Sequence, residues 1–196
     1  MKIRAIIFDM DGTVVDAPYD WDRIRKELNT QGIPILTFLN SLKEPERTKK
    51  WKILEKYEKE ATSKAVLMQG IPKFLEFLRS KKIKRALVTN NSRKNVSFLV
   101  KKFDLMFDFI VSRESGLWKP SGAPFIFALT SLGIKAEECC VIGNSHFDIK
   151  AAEEAGIEKI FLLSRERDAP TSLGAEIFTS VSDIQKKVEN VLNSIG

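Results

Sequence analysis

Short apolar runs alternate along this chain with stretches in which apolar residues recur every three or four positions. The first run, "IRAIIF", reads as a buried strand. "IPKFLEFLRSKK" places Ile71, Phe74, Leu75 and Leu78 at helical spacing, ends in basic residues, and leads into a second strand, "IKRALVT". "SRKNVSFLVKKF" is helical and "FDFIVS" is a third strand. "GAPFIFALTSLGI" reads as a helix with Pro124 in its first turn and Gly133 at its stop. "ECCVIG" is a fourth strand, "DIKAAEEAG" a helix closed by Gly156, "KIFLL" a fifth strand, and "DIQKKVENVLNSI" a terminal helix. Strand–helix alternation of this kind builds an α/β domain, a parallel sheet with helices on both faces.

One stretch breaks the rhythm. Between residues 16 and 67 no strand is convincing. "WDRIRKELNTQG" and "PERTKKWKILEKYEKEATSKA" read as charged amphipathic helices separated by "IPILTFLNSLK". The expected organisation is a core from residues 1–15 and 68–196, with a small all-α insertion over residues 16–67 after the first strand. Trp51, Leu54, Tyr57 and Glu58 form a stripe expected to pack the inserted helices together.

At 196 residues, 43% hydrophobic and 30% charged, the chain suits one soluble domain with an insertion. The net charge of +6 is spread thinly, without the block of like charge that a nucleic-acid tail shows, so no nucleic acid is expected as partner. Cys139 and Cys140 are adjacent; on a strand they point to opposite faces and read as small core residues in a reducing compartment. No apolar run is long enough to span a bilayer and the N-terminus lacks signal-peptide architecture, so the expectation is a cytoplasmic protein without a membrane partner.

In an open parallel sheet ligands bind at the carboxyl ends of the strands. The first strand candidate ends in Asp9, Asp11 and Thr13, and the second in Thr89, Asn90, Asn91 and Ser92. After the third comes "SGLWKPSG" with Lys119, and the fourth ends in Gly143, Asn144, Ser145, His146 and Asp148. Carboxylates near a core are costly unless compensated. Their convergence with hydroxyls, amides and one lysine describes a site for an oxyanion and a hard cation.

The motifs "DMDGT", "VTNNS", "KP" and "GNSHFD", in this order and at these separations, resemble the haloacid dehalogenase-like hydrolase superfamily, in particular its phosphoglycolate phosphatase-like members with a helical cap. The resemblance covers nearly the whole chain. It implies a Rossmannoid three-layer αβα core with a five- or six-stranded sheet, and Mg²⁺-dependent phosphoryl transfer through an aspartyl-phosphate. Asp9 is then the nucleophile and Asp11 the general acid, then base, with its main-chain carbonyl on the metal. Thr89, Asn90 and Lys119 hold the phosphoryl group, Lys119 also offsetting charge in the transition state. Asp9, Asp11, Asn144 and Asp148 form the metal set, with Asp148 orienting a metal-bound water. Gly12 permits the turn after Asp11.

The family usually places an aspartate where this chain has Asn144, whose amide can ligate a hard cation but brings no charge. That substitution leaves room for a catalytically weak phosphate-ligand binding or regulatory module, and a phosphomutase shares the same covalent chemistry. Halide displacement is disfavoured by Asp11, which members of that kind lack. His146 and Trp118 stand beside the site, and Trp21, Arg23, Arg25 and Lys26 open the cap, either as substrate contacts or as surface. The expected substrate is a small phosphorylated metabolite, and the expected state a monomer or homodimer.

Overall fold

The computed structural model describes residues 3–164 and 174–194. The chain divides into two compact units, Met1–Asp16 with Leu67–Gly196, and Ala17–Val66.

The larger unit is built on a sheet whose strands are β1 (Ala5–Phe8), β4 (Lys84–Val88), β5 (Phe109–Val111), β6 (Cys139–Gly143), β7 (Lys159–Leu163) and β8 (Glu176–Phe178). All pairings are parallel and the order is β5-β4-β1-β6-β7-β8. Two further short strands, β2 (Val15–Asp16) and β3 (Val66–Leu67), pair with each other where the chain leaves and re-enters this unit. β1 is central, with Phe8 opposite Leu87 on one side and Ile142 on the other. Successive side chains of a strand face opposite ways, and β1 uses both. Ala5 and Ile7 join Phe125, Ala128 and Leu129 of α6 (Ala123–Leu132) and Ile149, Ala151 and Ala152 of α7 (His146–Glu154) in one buried cluster. On the other face the Phe8 ring meets Phe74 of α4 (Ile71–Ser80) edge-on, with centroids 5.8 Å apart. A strand buried on both faces has to be apolar throughout, which is why "AIIF" lacks the alternation of a half-exposed strand.

The sheet has six strands, and the sixth, β8, is a three-residue half-buried strand that the sequence pattern does not single out. α5 (Arg93–Lys102) begins at the Ser92 cap, whose hydroxyl accepts from Asn95 N, and α8 (Val181–Asn193) closes the chain. Cys139 and Cys140 are free and buried, as small core residues.

The smaller unit holds α1 (Trp21–Leu28), α2 (Ile35–Ser41) and α3 (Glu46–Lys64). α2 lies in the segment read from sequence as a separator; its Leu36 and Leu39 are buried. Ile24 and Leu28 of α1 and Leu54 and Ala61 of α3 are buried too, and Tyr57 Oη donates to Glu27 Oε2 at 2.5 Å, tying α3 to α1. Among the described residues no helix is long and apolar enough to cross a membrane.

Candidate active site

Counted along the chain, the sheet strands lie in the order 3-2-1-4-5-6, so the topological switch falls at β1, between β4 and β6. Connections there run to opposite faces and leave a crevice at the strand ends. Asp9 is the first residue past β1, and its N–H donates to Ile142 O at 2.9 Å, so the carboxylate emerges at that switch. The chain then turns tightly: Thr13, Val14 and Val15 N–H all donate to Met10 O, and Gly12 takes φ +84°. A Cβ on Gly12 would lie 2.0 Å from Asn144 Nδ2, so the bare glycine is what lets the β6 loop lay its amide against the β1 turn.

Lys119 is 4% exposed and follows no strand directly; a cis peptide joins it to Pro120. Its Nζ donates to Asp9 Oδ1 and to Asp148 Oδ1, both at 2.6 Å. Burial disfavours the ammonium, but Asp148 and Asp9 outweigh it and raise Lys119 above the ordinary lysine value. Burial likewise pushes Asp9 up, to about 6, with Lys119 opposing the rise and Asp148 adding to it.

Asp148 is fully buried in the first turn of α7. Its Oδ2 accepts from Asn144 N at 3.2 Å, Ser145 N at 3.0 Å and Ser145 Oγ at 2.7 Å. Both carboxylate oxygens are thus engaged, one by Lys119 and the other by the loop carrying Asn144. Asp148, a residue of the expected metal set, runs its hydrogen bonds to Lys119 and to that loop. Gly143 makes room for it, since a Cβ there would fall 2.4 Å from Asp148 Cγ.

Thr89 leaves β4 beside β1, with its N–H on Val111 O and its Oγ1 accepting from Asn91 N at 3.1 Å. A hydroxyl that accepts in this way keeps its proton to donate. The side-chain amide of Asn90 pairs both ways with the Lys119 main chain, Nδ2 to O at 2.9 Å and Oδ1 from N at 2.8 Å, while the phosphate contact expected of Asn90 is one for its backbone N–H. That pairing anchors the Lys119 loop. Asn91, which sequence analysis noted only as a strand-end residue, is buried and donates Nδ2 to Asp11 Oδ2 at 3.0 Å. Its partner lies 80 positions away, beyond any local pattern.

Asp9, Asp11, Lys119, Asn144 and Asp148 are therefore assembled at the ends of β1 and β6, with Thr89 on the adjacent strand. His146 is exposed and meets Phe147 edge-on at 4.5 Å, and Trp118 is half-buried. Within the helical unit, Trp21 stacks on Tyr19 at 4.4 Å, Arg23 sits 5.7 Å from the Tyr57 ring centroid, and Arg25 pairs with Asp22 at 2.8 Å.

Comparison with known proteins gives a consistent result. The model of the haloacid dehalogenase-like hydrolase family matches residues 17–162. A haloacid dehalogenase-like hydrolase domain-containing protein of Arabidopsis thaliana is 28% identical over 98% of this chain and 85% of its own length. A protein of Thermotoga maritima named phosphorylated carbohydrates phosphatase is 28% identical over 81% of this chain and 84% of its own. The crystal structure of a predicted phosphoglycolate phosphatase from Haemophilus somnus superposes with a TM-score of 0.73 at 23% identity, covering 95% of this chain and 98% of that one. On the family match and the fold together, this chain belongs to the haloacid dehalogenase-like hydrolases.

Proposed function

We propose that the chain is a Mg²⁺-dependent phosphatase that hydrolyses a small phosphomonoester through an aspartyl-phosphate on Asp9. The observation that carries this reading is the buried Lys119 held 2.6 Å from Asp9 at the switch point of the sheet, with Asp11 two residues further on. The name of the Thermotoga relative, a phosphatase of phosphorylated carbohydrates, supports the same substrate class.

The residues fit a hard divalent cation. Among the described residues no three His, Cys, Asp or Glu side chains are grouped to hold a metal ion, so a cation here would draw on other oxygens as well. Asp9 supplies a carboxylate, the residue 11 main chain a carbonyl, and Asn144, laid across Gly12, an amide oxygen, all hard ligands. Such a cation, when bound, would keep Asp9 ionised and offset the charge of the incoming phosphate.

The chain's own groups account for the rest. A carboxylate oxygen of Asp9 attacks phosphorus as the bond to the leaving oxygen breaks, and that oxygen takes a proton from Asp11. Lys119 balances charge on the phosphoryl oxygens, and Thr89 donates its hydroxyl to one of them. Asp11, now a carboxylate, takes a proton from the water that hydrolyses the acyl phosphate. Asp148 keeps Lys119 charged and in place.

Asn144 favours a second reading, in which a weakly held cation makes turnover slow and the protein chiefly binds its phosphate ligand. The test is phosphate release from 4-nitrophenyl phosphate and a panel of sugar and short-chain phosphates with Mg²⁺. Release abolished by EDTA and by Asp9→Asn is the expected result. No release by folded, Mg²⁺-replete protein would overturn the leading reading, and binding without turnover would favour the second.

A further inference from the structure

We propose that Asn91 is a positioning residue for the proton transfer, fixing the Asp11 carboxyl so that one particular oxygen delivers the proton. This rests on the phosphatase reading above.

Asn91 is 4% exposed and is held at every polar group. Its N–H donates to Thr89 Oγ1 at 3.1 Å, and its carbonyl accepts from Arg113 N at 3.1 Å. In the side chain, Oδ1 accepts from Ser92 N at 2.8 Å and from Asn95 Nδ2 at 2.9 Å. A backbone N–H can only donate, so it dictates which end of the amide faces it. The NH₂ end is thereby turned the other way, and there it donates to Asp11 Oδ2 at 3.0 Å.

This geometry has a chemical consequence. A protonated carboxyl accepts a hydrogen bond best at its carbonyl oxygen. The Asn91 N–H therefore fixes Oδ2 of Asp11 as that carbonyl and places the acidic proton on Oδ1. When the ester P–O bond breaks and the Asp9 O–P bond forms, the electron pair stays on the leaving oxygen. That oxygen takes the Oδ1 proton, and Asp11 is left as a carboxylate. The bond also spans the turns after two adjacent strands, so it restrains the Asp11 rotamer as well as its proton.

In kcat/KM, which reports the steps up to departure of the leaving group and not the later hydrolysis of the acyl phosphate, losing this control should matter only where the leaving group needs a proton. 4-Nitrophenolate departs without one; unsubstituted phenolate does so far less readily. A positioned general acid contributes roughly 10²–10⁴-fold. Asn91→Ala should thus lose about 30-fold in kcat/KM on phenyl phosphate but under about threefold on 4-nitrophenyl phosphate, steepening the dependence of kcat/KM on leaving-group pKa. Asn95→Ala, one helical turn away, removes one of the two hydrogen bonds that hold Asn91 Oδ1 and should move the slope the same way by a smaller amount. It serves if Asn91→Ala does not fold.

A readout independent of turnover is the Asn91 side-chain NH₂ signal in the ¹H–¹⁵N spectrum of metal-free protein, which should shift in Asp11→Ala. Equal losses across the substrate series in both variants, or an NH₂ signal indifferent to Asp11→Ala, would overturn the proposal. If instead wild type released no phosphate, or Asp9→Asn remained active, the phosphatase reading itself would fall, and the NH₂ signal would still report whether the Asn91–Asp11 bond exists.

Discussion

Lys119 offers the sharpest physical test. It lies between two buried carboxylates, and at an effective dielectric near 20 a unit pair at 2.6 Å is worth about 6 kcal/mol before desolvation. Desolvation of all three groups consumes most of that attraction. What survives a substitution is the cost of leaving carboxylates buried without their cation, about 3–5 kcal/mol for loss of one partner. Lys119→Met, which keeps the stem and removes the charge, should therefore lower stability by that amount, or the midpoint by roughly 6–20 °C for a chain of this size. The pH dependence has a definite sign. Asp9 is raised from 3.8 to about 6 even with Lys119 in place, and rises further without it. The folded variant then binds more protons than the unfolded chain, so its stability falls as pH increases and its deficit is smaller at acidic pH. Urea unfolding of metal-free protein, followed by circular dichroism at several pH values, measures both effects. Adding Asp148→Asn removes one orphaned charge, so it should cost at least about 1 kcal/mol less in the Lys119→Met background than in wild type. A loss under about 1 kcal/mol, flat with pH and additive with Asp148→Asn, would refute the buried bridge.

Other predictions follow from the same geometry. Mg²⁺ affinity, measured by calorimetry, should weaken as pH falls below about 6, where Asp9 takes up its proton. Gly12→Ala should cost about 1–2 kcal/mol in thermal stability from its φ of +84° alone. It should also weaken Mg²⁺ binding, because its Cβ displaces the Asn144 amide now 2.0 Å from that position. Asn144→Asp should tighten Mg²⁺ about tenfold by adding a charged oxygen ligand, read by the same titration.

Much of the fold was legible because the buried strands had to be continuous apolar runs and the helices showed their period. "AIIF" and "CCVIG" lie at the centre of the sheet. β8 was not legible, since three residues of which none is fully buried carry no period, and α2 was hidden because "ILTFLNS" is too short to show one clearly. Asp9, Asp11, Thr89, Lys119 and Asn144 could be named because each is a polar residue placed at a strand end or its loop. Their partners could not. That Asp148 turns to Lys119, that Asn90 holds the Lys119 main chain, and that Asn91 reaches Asp11 are facts of long-range packing. The signal available was only that so many amides are gathered at "TNNS" and "GNS", more than helix capping requires.

The account turns on Asp9 carrying the phosphoryl group. Wild-type protein should be mixed with 4-nitrophenyl phosphate and Mg²⁺, quenched in acid within a turnover, digested, and mapped by mass spectrometry. The account predicts one phosphoryl group on the peptide containing Asp9, absent from Asp9→Asn. Turnover with that peptide unmodified, or a phosphoryl group mapped to another residue, would contradict it.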